Sequence, residues 1–227
     1  MIPVGSLINA LTVITGSTIG LIAGNKLPNR FKGIIFQAVG LSTLVLGMQM
    51  AFEVQDFVIF IFSLIFGAVI GEILHLETRM GQLSEWLKAR IRIKNERFTE
   101  GLITAFLIFC VGSMTFVGAI NEGLTGDRTL ILSKSVLDGF TSMVLASVYG
   151  VGVLFSVLPL FIVQGSLTLL ATPFQALFSE VIIAQLTAVG GALILAIGFN
   201  LLEIKKIKTI NMLPGLVVVV VLTLIFL

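Results

Sequence analysis

Lys134 and Asp138 lie four residues apart in the apolar stretch TLILSKSVLDGFTSM, residues 129–143. That spacing puts both side chains on one face of a helix. An ammonium and a carboxylate at membrane depth are costly unless they are paired, hydrated or used. Two readings follow. The pair can simply mute two charges, or Asp138 can bind a cation or proton with Lys134 as its counter-charge or gate. Ser135 adds a hydroxyl beside them, and Asn121 and Glu122 stand across a glycine-rich turn, GLTGD at 123–127. Asn9 in the first apolar run and Gln164 in a later one each bring an amide with several hydrogen bonds to satisfy. The candidate substrate- or ion-binding set is therefore Asn9, Asn121, Glu122, Lys134, Ser135, Asp138 and Gln164.

Glu72 and His75 form a second, smaller group near the end of the third apolar run. An acid there can snorkel to water, or the two can act as a proton relay. His75 is the only histidine and Cys110 the only cysteine, so neither a multi-histidine metal centre, a cysteine zinc site nor an internal disulfide is expected. No nucleophile elbow, zinc-protease helix motif, phosphate-cradling loop or paired acidic motif occurs, and the expectation is a protein that is not an enzyme and carries no cofactor.

The elements that must position these residues are set by hydropathy. Of 227 residues, 57% are hydrophobic and 11% charged, and the mean hydropathy is +1.12. Soluble domains carry about 25% charged residues, so the chain reads as an all-α, polytopic integral membrane helix bundle. With a net charge of +2 and its bases in loops, nucleic acid is not an expected partner. A span needs about 20 apolar residues. Eight runs approach that length, at 4–24, 33–52, 57–76, 101–121, 131–155, 157–172, 181–201 and 212–227, and the short sixth leaves seven as an alternative. The expected organisation is one membrane domain, 1–227: spans one to three at 4–76, an interfacial helix at 77–100, and spans four to eight at 101–227. The opening MIPVGSLINA has no basic segment and reads as a retained first span.

Lys and Arg concentrate in the first, third and seventh loops, which places these in the cytoplasm and both termini, with residues 122–130, on the opposite side. The third loop holds Leu76, Met80, Leu83 and Leu87 at helical spacing, Trp86, and a basic tail at 88–97. It reads as a helix lying on the cytoplasmic interface, or as a docking site for a partner.

Small residues at four-residue spacing, Gly16–Gly20, Gly20–Gly24 and Gly67–Gly71, predict close helix packing or a homodimer contact. Residues 14–23 (ITGSTIGLIA) and 162–171 (IVQGSLTLLA) are alike, as are Ala38-Val39-Gly40 and Ala188-Val189-Gly190. Spans one to three then align with spans six to eight in opposite orientation, the inverted-repeat pattern of secondary transporters.

NxxTVITGSTIG at 9–20, GAVIGEILHLE at 67–77, GAINEGLTGDRTLILSKSVLDG at 118–139, VGG at 189–191 and NMLPGL at 211–216 resemble the YdfK/YqgA-like family of bacterial membrane proteins, a domain of unknown function. The likeness spans essentially the whole chain. It implies a bacterial inner-membrane, multi-pass protein and no established active site. It also implies that Asn9, Glu72, Asn121, Glu122, Lys134, Ser135 and Asp138 occupy motif positions. The expected function is a small secondary transporter or channel for an ion or small polar solute, acting as a homodimer in the lipid bilayer with its site between spans one, four, five and six. The alternative is a non-transporting scaffold or sensor that docks a partner through 77–100.

Overall fold

A computed structural model describes residues 3–26, 29–91, 97–111, 113–172 and 179–227, and every regular element among them is helical. The side chains of Lys26, Arg30, Lys32, Leu83, Leu87, Lys88 and Arg90 lie outside the described set, as do residues Arg92, Lys94, Gly112 and Pro173. In chain order the helices are α1 (Val4–Lys26), α2 (Asn29–Ala51), α3 (Phe57–Ile73), α4 (Leu76–Ile91), α5 (Phe98–Cys110), α6 (Ser113–Thr125), α7 (Thr129–Tyr149), α8 (Gly152–Phe155), α9 (Val157–Leu169), α10 (Glu180–Leu201), α11 (Thr209–Met212) and α12 (Gly215–Phe226). The chain forms two compact units, one of Met1–Ile35 with Glu100–Ser179, the other of Phe36–Thr99 with Glu180–Leu227.

Five helical segments are long and apolar enough to cross a membrane: Val4–Gly24, Thr129–Tyr149, Gly152–Leu169, Glu180–Asn200 and Thr209–Phe226. Two bent pairs raise the number to seven, Phe57–Ile73 with Leu76–Gln82 at 54° and Phe98–Cys110 with Met114–Thr125 at 55°. For the expected span at 33–52, the described apolar helix covers Gly40–Ala51. Polarity is distributed as a membrane requires. On α1 and α7, Leu11, Ile22, Val136, Leu137 and Phe140 are exposed, whereas Ser6, Asn9, Ser17, Lys134, Asp138 and Ser142 are buried. Apolar surface of that extent is unusual on a water-soluble monomer but is the natural face toward lipid.

In the first unit, α1 lies along α7 with almost nothing between the backbones. A Cβ added at Gly16 would collide with the carbonyl oxygen of Gly139, and one at Gly20 with that of Met143; at Gly24 it would stand 2.6 Å from the Ser147 carbonyl oxygen. The four-residue glycine spacing thus does the packing work expected of it, since close backbone approach replaces the hydrophobic effect as the source of association in lipid. Thr15 and Thr18 return their hydroxyls to carbonyls one turn back, Leu11 and Ile14, at 2.8 and 2.7 Å, which removes their polarity from the outer face. Helix α9 packs against both α1 and α6 and completes the enclosure of the polar side of α1.

The fourth apolar run breaks between Cys110 and Ser113, while Gly118 stays helical and faces the start of α7, where a Cβ would meet the Ile131 nitrogen at 3.2 Å. The fifth span ends earlier than the sequence suggests. Gly150 adopts φ 78 and closes α7, so the following residues from Gly152 belong to the next span.

In the second unit, α3 packs on α11 and α12 through Gly67, beside Gly215, and Gly71, beside the Asn211 carbonyl. Asp56 caps α3 by accepting from the Ile59 nitrogen at 2.8 Å. Gln185 from α10 holds the link before α3, accepting from the Gln55 nitrogen at 3.1 Å and donating to the Asp56 carbonyl at 3.0 Å. Its amide is therefore a structural clamp. The α3–α4 break is at Leu74–His75, where His75 takes φ 50, and Pro214 precedes α12 as the sequence suggests.

Candidate functional site

Helix α7 projects Lys134 and Asp138 inward from consecutive turns. The Lys134 ammonium donates to Asp138 Oδ2, and Asn9 Nδ2 from α1 donates to the same oxygen at 2.9 Å. Asn9 Nδ2 also donates to Gln164 Oε1 from α9 at 3.1 Å. The Phe109 ring of α5 lies under the ammonium, 5.8 Å from Nζ to the ring centre. Three helical segments long and apolar enough to cross a membrane thus meet at one ion pair. All four polar residues are at most 5% exposed.

The group is not saturated. Asn9 Oδ1 and Gln164 Nε2 are buried and have no hydrogen-bond partner among the described residues. Both donors to Asp138 converge on Oδ2. Buried polar atoms are nearly always partnered, and exceptions call for a ligand, a water or a functional reason. Ser135 sits on this face but spends its hydroxyl on the Ile131 carbonyl at 2.7 Å, one turn back. It shapes α7 and gives no hydrogen bond to Asp138.

Glu122 does not belong to an exposed turn. Helix α6 continues to Thr125, the turn is confined to Gly126–Arg128, and Glu122 is fully buried. Its Oε1 accepts the Gly5 N–H at 2.8 Å and the Arg128 Nε–H at 3.0 Å, while Oε2 has no partner among the described residues. The Arg128 side chain is 40% exposed. The sequence put Arg128 beside Glu122, but nothing in it indicated that the backbone of Gly5 completes the site. The approach is close: a Cβ at Gly5 would stand 2.7 Å from Glu122 Oε2. Asn121 makes no side-chain hydrogen bond to this group among the described residues. It is half-buried, and its carbonyl accepts from Thr125 Oγ1 at 2.9 Å.

At the α6–α7 turn, Asp127 Oδ1 accepts from the Thr129 nitrogen at 2.9 Å and hydroxyl at 2.7 Å. The Thr129 backbone hydrogen bond, followed by that of its side chain, holds the Asp127 carboxyl below its ordinary value. A carboxylate whose pKa falls on folding stabilises the protein above its unfolded pKa, and that contribution fades as pH drops through the lowered folded value. Asp127→Asn is accordingly expected to lower the melting temperature at neutral pH, with the difference from wild type closing in acid. Thermal unfolding of both proteins in detergent across pH checks this; a gap that widens in acid contradicts it.

Glu72 and His75 lie in the second unit. The Glu72 carboxylate accepts from Lys208 Nζ at 2.9 and 3.2 Å and from Asn211 Nδ2 at 2.6 Å, and Asn211 Oδ1 accepts the Glu77 N–H at 2.8 Å. That carboxylate is directed at Lys208 and Asn211, with His75 exposed at the helix break. Its hydrogen bond to Glu72 keeps the Lys208 ammonium above its ordinary pKa. Asn211 ties α11 to the α3–α4 break. Among the described residues no cluster of three His, Cys, Asp or Glu side chains suits a metal ion.

All-helical structure, five to seven helices able to cross a bilayer, and polar side chains turned inward define a helical membrane protein. The chain belongs to the family described as protein of unknown function (DUF554), which matches residues 4–224. Its relatives include the uncharacterized membrane protein YdfK of Bacillus subtilis (strain 168), 37% identical over 218 residues that cover 94% of this chain and 93% of the relative. Another is the uncharacterized protein YqgA of Escherichia coli (strain K12), 32% identical over 218 residues with the same coverage of 94% and 93%. No solved structure matches the chain significantly.

Proposed function

We propose that the protein is a small multi-pass transporter or channel of the bacterial inner membrane, moving an ion or small polar solute through a site at Asp138, Lys134, Asn9 and Gln164. The observation that carries this reading is the unsaturated state of a fully enclosed charged cluster: Asn9 Oδ1 and Gln164 Nε2 are unpartnered beside the Lys134–Asp138 pair. An ion pair kept for structure alone gains from having its neighbouring amides satisfied, because each orphaned polar group carries its full desolvation penalty. Asp138 and the Asn9 carbonyl oxygen offer acceptors to a cation or proton. Lys134 and the Gln164 amide offer donors to an anionic group, so a zwitterion also fits. Activity as a homodimer and alternating access by inverted repeats belong to the same proposal, supported by the likeness between residues 14–23 and 162–171.

A gradient-driven uptake screen in proteoliposomes, run on wild type and Asp138→Asn, tests the reading. Uptake of at least one ion or small solute is expected in wild type and its loss in the variant. Equal uptake by the two folded proteins would remove Asp138 from the mechanism.

A further inference from the structure

Two buried carboxylates are tied to the same side of α1. Glu122 is held by the Gly5 N–H and Asp138 by the Asn9 amide. Gly5 and Asn9 are four residues apart, which is about 6 Å of helix rise. The two acids therefore lie roughly one helical turn apart along α1.

Five of the seven buried, unpartnered polar atoms among the described residues lie near these two acids. Ser6 Oγ and Asn9 Oδ1 on α1, Glu122 Oε2 on α6, and Gln164 Nε2 and Thr168 Oγ1 on α9 are all buried without a hydrogen-bond partner among the described residues. Ser6 and Asn9 are three apart on α1, and Gln164 and Thr168 four apart on α9, so each pair shares a helix face. Gly123, next to Glu122, lies against the Thr168 carbonyl, which brings α6 and α9 together at this level. Donors and acceptors spaced this way on three packed helices suit water, which needs two to four polar partners to be held inside a protein. At one end Arg128 connects Glu122 to the surface. At the other stands Asp138, facing Lys134 on its own helix, Asn9 on α1 and, within electrostatic reach, the Cys110 thiol of α5.

We infer that α1, α6 and α9 enclose a water-lined proton path running from Arg128 and Glu122 to Asp138, so that the proton is the species moved or coupled at the Asp138 site. The inference rests on the transport reading above and specifies its ion. A proton from the solvent at the Gly126–Arg128 turn adds to Glu122 Oε2. It leaves that oxygen to the first water, each water passes on one of its own protons, and the last donates to Asp138. Glu122 returns to its carboxylate form, and Asp138 becomes neutral.

The test is proton entry into proteoliposomes that hold a pH-sensitive dye, driven by a potassium diffusion potential set with valinomycin. Wild type is expected to acidify the lumen faster than protein-free liposomes. Glu122→Gln should slow this on the order of a hundredfold, the weight of one positioned proton-transfer group, and Asp138→Asn should abolish it. The combined Ser6→Ala and Thr168→Val substitutions break no protein hydrogen bond, so the fold is kept and entry should slow severalfold. Wild-type flux no greater than that of empty liposomes overturns the inference, as does full flux in Glu122→Gln or in the double variant. If Asp138→Asn alone loses flux, the relay fails while the Asp138 site stands. If solute uptake also survives Asp138→Asn, the underlying transport reading fails as well.

Discussion

Asp138→Ala is expected to destabilise the protein by about 3–5 kcal/mol, the penalty typical of removing one member of a buried ion pair. The loss arises because Lys134 would be left without its carboxylate partner at a position only 5% exposed, with the Phe109 face as its remaining close contact among the described residues. Replacing both members tells stability from function. Lys134→Met with Asp138→Leu removes both charges, fills a similar volume and leaves the Asn9 amide donating to Gln164 Oε1, so its stability should match or exceed wild type. Thermal melting of the three proteins in detergent checks the sequence of effects. A single substitution as stable as wild type would mean that the site is wet and open, with its charges solvated from outside.

The second large effect concerns the α1–α7 contact. Gly16→Val places new atoms against the Gly139 carbonyl and the Ser142 hydroxyl. The obstruction is backbone, which has no rotamer to escape into. Overpacking usually costs about 1–3 kcal/mol when side chains can yield, so here the cost should reach or exceed the top of that range. Because Asn9 lies two turns along the same helix, moving α1 off α7 also breaks the Asn9–Asp138 bond. Gly165→Ala is the control, since a Cβ there meets only Pro3 Cγ at 3.9 Å. Yield and monodispersity on size exclusion should collapse for Gly16→Val and hold for Gly165→Ala. Normal behaviour of both would show that the helices are further apart than the structure has them.

The two cases also mark what can be read from sequence. Lys134 and Asp138 were legible because helical spacing fixes their mutual placement without any tertiary information. The glycine stripe was legible for the same reason. Asn9 and Gln164 could be named as polar residues needing partners, but their meeting depends on how α1 and α9 are arranged around α7, and spacing within one helix does not carry that. The turn was placed at 123–127 because of its glycines; the helix continues to Thr125 because Gly123 packs on the Thr168 carbonyl and the left-handed residue is Gly126, at φ 77. The Glu72–Lys208–Asn211 group was missed as a unit, since its members are as many as 139 residues apart and nothing local links them. Span ends moved for a similar reason: hydropathy does not distinguish Gly150, which closes α7, from glycines that stay helical.

The most direct measurement is uptake by the charge-free double variant. Lys134→Met with Asp138→Leu should fold as well as wild type, so loss of transport in it reports chemistry and not collapse. In proteoliposomes, with the driving gradient and solute that wild type uses, the double variant is predicted to transport no faster than protein-free liposomes. Transport at the wild-type rate by that folded protein would contradict the account and leave the buried pair a structural feature of the bundle.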